Sequence, residues 1–253
     1  MQSEGNLMNR FNFLVLTFLL APLSLTQAGL PANSGQVLVA IAKDWDSDKA
    51  LLWAMDRTED GWAPAFAEPV EVLLGRNGLA WGRGVEPVKA PGDPVKKEGD
   101  RRTPAGLYKI GRIYGEAVRL PGGSSYPYRQ VGRWDAWVDD LKNPYYNRHY
   151  IAKPGKVPPW FESQRMRLGD AAYEFRIEVR HNADPPVPGY GSAIFFHIRR
   201  GEDRPSSGCT VMTRANLLKV IGWLKEDRNP HYVILPKAEY DKYQNAWGLP
   251  VFR

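Results

Sequence analysis

The stretch "FFHIRRGEDRPSSGCTVM", residues 195–212, sets a histidine and a cysteine twelve positions apart. His197 closes an apolar run, and Cys209 follows a short charged loop ending in Ser-Ser-Gly. It is the only cysteine in 253 residues. Sulfur attacks a carbonyl as thiolate, and a free thiol with a pKa of about 8.5 is mostly protonated at neutral pH. It therefore needs a base or a positive charge nearby. Gly208 allows the chain to turn sharply and aim amide N–H groups at a developing oxyanion. A helix starting near Thr213 brings its positive end toward the sulfur, and the loop length lets the His197 imidazole fold back to it. Taken singly, a lone cysteine reads more readily as a small buried hydrophobe and a strand-end histidine as a structural residue. Their conjunction points to nucleophilic catalysis.

Competing chemistries leave no motif. There is no His-Glu-x-x-His, Gly-x-Ser-x-Gly, Ser-x-x-Lys or phosphate loop. A zinc site from His149, His181, His197, His231 and Cys209 lacks close ligand spacing, so no metal or other cofactor is expected. Asp139 and Asp140 would point to opposite sides of a strand, which disfavours a glycosidase pair.

The N-terminus supplies context. Arg10 precedes an apolar core from Phe11 to about Leu23, with Thr26 and Ala28 at the −3 and −1 positions of a cleavage site. Residues 1–28 thus read as a secretory signal peptide, an uncleaved anchor being the alternative, since a membrane span needs about 20 apolar residues. Either way the following domain, residues 29–253, is expected outside the cytoplasm, periplasmic or secreted, touching the membrane only through the leader during export. A lone thiol in an oxidising compartment cannot form an intrachain disulfide and needs a reason to persist. The net charge of +6 favours an anionic surface such as a cell wall. Basic residues are spread along the chain, and nucleic acid is not expected as a partner.

The elements that must position the pair are mostly strands. Twenty-four Gly and 21 Pro imply many turns. Strands are expected in "GQVLVAIAKDW", "ALLWAMDRTEDGW", Val70–Leu74, Leu107–Ile113, "YEFRIEVRHN", "GSAIFFHI" and "HYVILP". Residues 85–101, rich in Pro, Gly and charge, read as a surface loop. About 122–160 reads as a long aromatic insertion over one face. Residues 213–228 form the one convincing helix, capped by Thr213, with Leu217, Leu218, Ile221 and Leu224 on one face and Asn229-Pro230 as the stop. The fold class is mostly β, sandwich- or barrel-like, with a helix after the cysteine, and α+β by strict count.

On these residues the chain resembles the L,D-transpeptidase catalytic domain (YkuD-like) family of bacterial cell-wall cysteine enzymes, over about residues 36–235. His197 matches the family's strand-end histidine, Ser206 its Ser/Thr, Gly208 its glycine and Cys209 its nucleophile. Thr103, Pro104 and Gly106 match its Thr-Pro-x-Gly segment, and "LGRNGLAWG" and "YN" are similar to one branch. Ser207 departs from the histidine usually found before Gly-Cys, the loop is shorter than in the best-known members, and Val211 stands where many carry Arg or Asn.

The resemblance implies that Cys209 attacks a peptidoglycan stem peptide at the bond between an L-centre and a terminal D-residue. His197 would be base then acid, oriented by a backbone carbonyl such as that of Ile198, and amides around Gly208 and Cys209 would hold the oxyanion. The acyl group would pass to an amine or to water. Ser206 and Ser207 would meet substrate, with the departures bearing on pocket and acceptor. From the insertion, Asp140, Tyr146, Asn147 and Arg148 are candidate contacts, ordinary loop packing being the alternative for each. A carboxypeptidase or amidase with the same Cys-His chemistry, and a non-catalytic envelope-binding protein on the same fold, remain the other readings.

Overall fold

A run of apolar residues long enough to be buried on both faces opens the fold. Strand β1 (Gln36–Ala42) carries Val37, Leu38, Val39 and Ala40 with no exposed surface, as a strand flanked on both edges and covered on both faces requires. The computed structural model describes residues 29–85 and 92–252, so the signal-peptide reading lies outside the described residues. Strand β2 (Lys49–Thr58) begins with alternating exposed and buried residues and pairs antiparallel with β1, the period-2 signature of a sheet with one wet face. Next come β3 (Gly61–Pro64), β4 (Val70–Leu73), β5 (Leu79–Trp81) and the long β6 (Thr103–Gly115).

The aromatic stretch holds β7 (Tyr128–Gln130), which pairs with β6, and a separate hairpin of β8 (Asp135–Trp137) and β9 (His149–Ile151), followed by α1 (Phe161–Gln164). Its aromatics pack on one another: Trp134, Tyr150 and Trp160 surround Ala136, Ala152 and Phe161 in a small core of their own. The chain continues through β10 (Phe175–Val179), β11 (Phe195–Ile198), β12 (Thr210–Met212), α2 (Arg214–Trp223), β13 (His231–Pro236) and α3 (Lys237–Tyr243).

Pairing runs β1–β13–β6–β10–β11–β12–β4–β2 and returns to β1, closing an eight-stranded barrel; β3, β5 and β7 are added to its strands. The architecture is mostly β with few short helices. Closure removes the exposed edges that an open sheet would present. Among the described residues no helix is long and apolar enough to cross a membrane.

Two local expectations need correction. Helix α2 ends at Trp223, not at Asn229. The Leu224 N–H still closes on Val220, but its backbone turns extended and its side chain enters the core. A 3-10 turn over Glu226–Arg228 then leads to Asn229 in the left-handed conformation. Nor is 85–101 all surface: in its described part Lys96 is 3% exposed and bonded to Asp100.

Candidate active site

Strand register sets the thiol and the imidazole on one face. Strands β11 and β12 run parallel with His197 opposite Val211. Because side chains alternate along a strand, Cys209, two residues before Val211, faces the same side as His197. Both line one cavity of about 610 Å³.

The turn carrying Cys209 is clamped by the two upstream motifs. Ser206 N–H donates to the Leu74 carbonyl at 2.7 Å, Arg76 N–H donates to the Ser206 carbonyl at 3.1 Å, and Gly75 N–H donates to Thr103 Oγ1 at 2.7 Å. Within the turn, Ser206 Oγ accepts from Gly208 N–H at 2.9 Å and donates to the Cys209 carbonyl at 2.5 Å. Gly208 sits at φ +142°, and a Cβ there would lie 3.1 Å from the Arg102 carbonyl oxygen. Only glycine adopts that backbone without strain.

His197 is 5% exposed, and its Nδ1 lies 2.9 Å from the Ile198 carbonyl. A carbonyl only accepts, so Nδ1 carries the proton and Nε2 keeps its lone pair. The Tyr173 ring packs against the imidazole at 4.8 Å. Burial, reinforced by the Arg200 and Arg176 charges, lowers the His197 pKa to about 4. Cys209 is half-buried, and its Sγ is 3.5 Å from the Ala193 carbonyl. Desolvation pushes its thiol up to about 11, against the opposing pull of the Phe195 amide, Lys96 and Arg176. Both shifts favour a neutral thiol beside a neutral imidazole over a preformed ion pair.

The expected help from a helix N-terminus is therefore corrected. Strand β12 stands between Cys209 and α2, and the Thr213 hydroxyl accepts the Asn216 N–H at that helix start. Helix-end charge falls off within a turn, and burial of the sulfur decides its protonation.

Charges of both signs line the cavity, Lys96 among the cations. Arg76, Arg101, Arg200 and Arg204 contribute cations, and Glu98 and Asp139 contribute carboxylates. Glu98 Oε2 accepts from Tyr146 at 2.5 Å and from Ser192 at 2.7 Å. Partial desolvation raises the Asp139 carboxyl, with Glu98 adding to the effect against a Gln164 contact. Among the described residues neither carboxylate is ion-paired with a lysine or arginine.

Ser206 and the exposed Ser207 line the cavity with Cys209, and Gly208 shapes the turn beneath them. Three residues expected from the insertion do not line it. Asp140 is exposed and accepts the Lys142 N–H at 3.0 Å. Arg148 lines a different hollow with His149 and Arg180. Asn147 is buried, its amide engaged in four hydrogen bonds. Tyr146 reaches the site through Glu98. Asp139, the neighbour of Asp140, lines the cavity itself, on the loop after β8 rather than on a strand.

Sequence reading missed Glu98, Asp139, Arg101, Arg176 and Tyr173. The dense charge of residues 85–101 was the available signal for Glu98 and Arg101, but nothing in its spacing shows that these two line the cavity. The remaining histidines are engaged elsewhere: His149 Nε2 with Asp135 at 2.7 Å, His181 Nε2 with the Tyr190 carbonyl at 2.8 Å, and His231 Nδ1 with Ser34 at 3.0 Å. Among the described residues no three His, Cys, Asp or Glu side chains are grouped to hold a metal ion.

No curated protein and no solved structure matches the chain. Residues 46–233 match the YkuD family, the L,D-transpeptidase catalytic domain, and the span includes β2 to β12, both upstream clamp motifs, His197 and Cys209. With that span covered, and its single cysteine on the turn that leads into the strand beside the histidine's, the chain belongs to the L,D-transpeptidase catalytic domain (YkuD) family.

Proposed function

We propose that the protein is an L,D-transpeptidase acting on peptidoglycan stem peptides through an acyl-enzyme on Cys209. The observation that carries this reading is the single thiol sharing a cavity with an imidazole whose Nδ1 is tied to the Ile198 carbonyl. As sulfur attacks the carbonyl carbon of the L-centre, its proton passes to His197 Nε2, so no thiolate need accumulate beforehand. The Gly208 N–H already donates to Ser206 Oγ, which leaves the Cys209 N–H, next along the turn, to hold the oxyanion. Collapse of the tetrahedral adduct breaks the C–N bond, and the leaving amine of the terminal D-residue takes the proton back from His197. An incoming amine then loses its proton to His197 and displaces sulfur, giving a crosslink; water in the same place gives carboxypeptidase activity. No cofactor enters these steps.

The charge distribution suits such a substrate. A stem peptide offers carboxylates to the arginines of the lining and an ammonium to Glu98 and Asp139. Ser207, exposed in the cavity lining, would contribute to acceptor choice. A cell-wall substrate also agrees with export through residues 1–28, to the periplasm or beyond. Purified protein should convert stem tetrapeptides to crosslinked products when an amine acceptor is present and to tripeptides with water alone, with Cys209→Ala inactive and a mass adduct confined to Cys209. Intact tetrapeptide under both conditions would refute the reading.

A further inference from the structure

We propose that Asn147 is a positioning residue for the Cys209 thiol, acting through the backbone of Ala193. Two backbone groups act on the sulfur: it donates to the Ala193 carbonyl at 3.5 Å, two residues before β11, and the amide of Phe195, the first residue of that strand, draws its pKa down. The first favours the protonated thiol and the second favours the thiolate. Where the Ala193 carbonyl points therefore sets the direction of the S–H and its ease of ionisation.

Ala193 holds an unusual backbone, at φ +55°. An alanine gains nothing locally from the left-handed region, so something outside the segment must impose it. Asn147 Oδ1 accepts the Ala193 N–H at 3.0 Å and the Trp137 Nε1–H at 3.3 Å, while Nδ2 donates to the His181 and Asn182 carbonyls at 2.9 and 2.8 Å. Two donors on one side and two carbonyls on the other determine the orientation of the amide. Asn147 is itself left-handed, at φ +53° and 7% exposed, a backbone that asparagine tolerates better than most residues. The side chain thus ties the aromatic insertion to the segment that aims the thiol. It acts from behind the cavity wall and does not touch substrate.

The inference rests on Cys209 as the reacting atom of the proposed reaction, not on the identity of the acyl donor. Its test is the pH dependence of Cys209 alkylation by iodoacetamide in the full chain, with folding checked by circular dichroism and thermal melting. Asn147→Ala frees Ala193 to return to negative φ and withdraws the acceptor. The alkylation midpoint should fall by about one pH unit, making labelling below it about tenfold faster. Ala193→Val reaches the same end differently: a β-branched residue is excluded from the left-handed region, while the Asn147 bonds to His181 and Asn182 stay. Its midpoint should fall likewise. Lys96 and Arg176, whose charges act on the sulfur, and His197, Glu98, Asp139 and the arginines that line the cavity with it are unchanged in both variants. If Asn147→Ala does not fold, Ala193→Val decides alone. An unchanged or raised midpoint in folded Ala193→Val overturns the proposal, as does an unchanged midpoint in folded Asn147→Ala. Alkylation reads the thiol directly, so failure here is distinguishable from failure to process stem peptides.

Discussion

Arg176 stands opposite His197 across the antiparallel β10–β11 pair, in the register set by Ile177 with Phe196 and Glu178 with Phe195. Its guanidinium lies over the Tyr173 ring at 5.0 Å, the ring that also packs on His197. Arg176 is 5% exposed and its Nε has no hydrogen-bond partner among the described residues. A buried cation beside a buried imidazole makes a second positive charge costly. Burial first, with this charge adding to it, keeps the base neutral and ready to accept the thiol proton.

The pH–rate profile should carry this signature. A general base must be unprotonated, so activity should be retained down to an acid limb near the His197 pKa of about 4. Arg176→Met removes one of the charges that lower that pKa but leaves burial, the larger cause, in place. The acid limb of kcat/KM should move up by about half a pH unit to one. A limb that stays in place would mean that Arg176 does not act on the base.

Acid should destabilise the fold through the same histidine. The His197 pKa is lowered to about 4 and that of the buried His181 to about 3, both chiefly by desolvation. The unfolded chain, with histidine near 6.5, binds more protons across this window, so stability is present above about pH 6.5 and is lost as pH falls toward 4. By pH 5 each histidine should cost about 2 kcal/mol. Urea midpoints at pH 7 and pH 5 measure the loss, and His197→Gln should remove roughly its own share.

Ser206→Ala should separate the turn from the nucleophile. The hydroxyl bridges the Gly208 amide and the Cys209 carbonyl inside one turn. Its removal leaves both groups without that partner, at a cost of about 1–3 kcal/mol. Thermal melting should show this loss. Acyl-enzyme formation should fall more steeply than substrate binding, because the turn places both the sulfur and the Cys209 amide. Pre-steady-state acylation with a stem peptide reads the difference.

Glu98→Gln should act on the amine. The substitution removes the charge of a carboxylate that faces the cavity without an ion-pair partner among the described residues, while its carbonyl oxygen can still accept from Tyr146 and Ser192. KM for an amine acceptor should rise about tenfold, the value of a partly desolvated ion pair of roughly 1.4 kcal/mol. Hydrolysis of the acyl-enzyme by water should be spared. An equal loss in both reactions would place Glu98 in the architecture of the site rather than in acceptor binding.

Much of the barrel is legible locally. Residues 36–42 are apolar enough to require a two-sided burial, and residues 49–52 alternate as a one-sided strand should. The Thr213 cap and the buried Leu217 and Ile221 of α2 follow the pattern of the sequence. The end of that helix does not, because Leu224 leaves it for a place in the core that no local spacing encodes. The loop from 92 to 101 failed for the same reason: Lys96 and Asp100 look like surface charges until the fold buries them against each other.

By itself the sequence determined the strand-rich character, the histidine and cysteine at the ends of one loop, the need for glycine before the cysteine, and the family. These follow from residue type and short-range spacing. Tertiary structure alone decided that β11 and β12 pair in parallel with His197 and Cys209 on one face, that the pair rests neutral, and that Asp139 rather than Asp140 meets the cavity. Each of these depends on which distant segments exclude water from a given side chain. The same holds for Asn147, read from sequence as a contact for substrate and found with its amide bonded to Trp137, His181, Asn182 and Ala193.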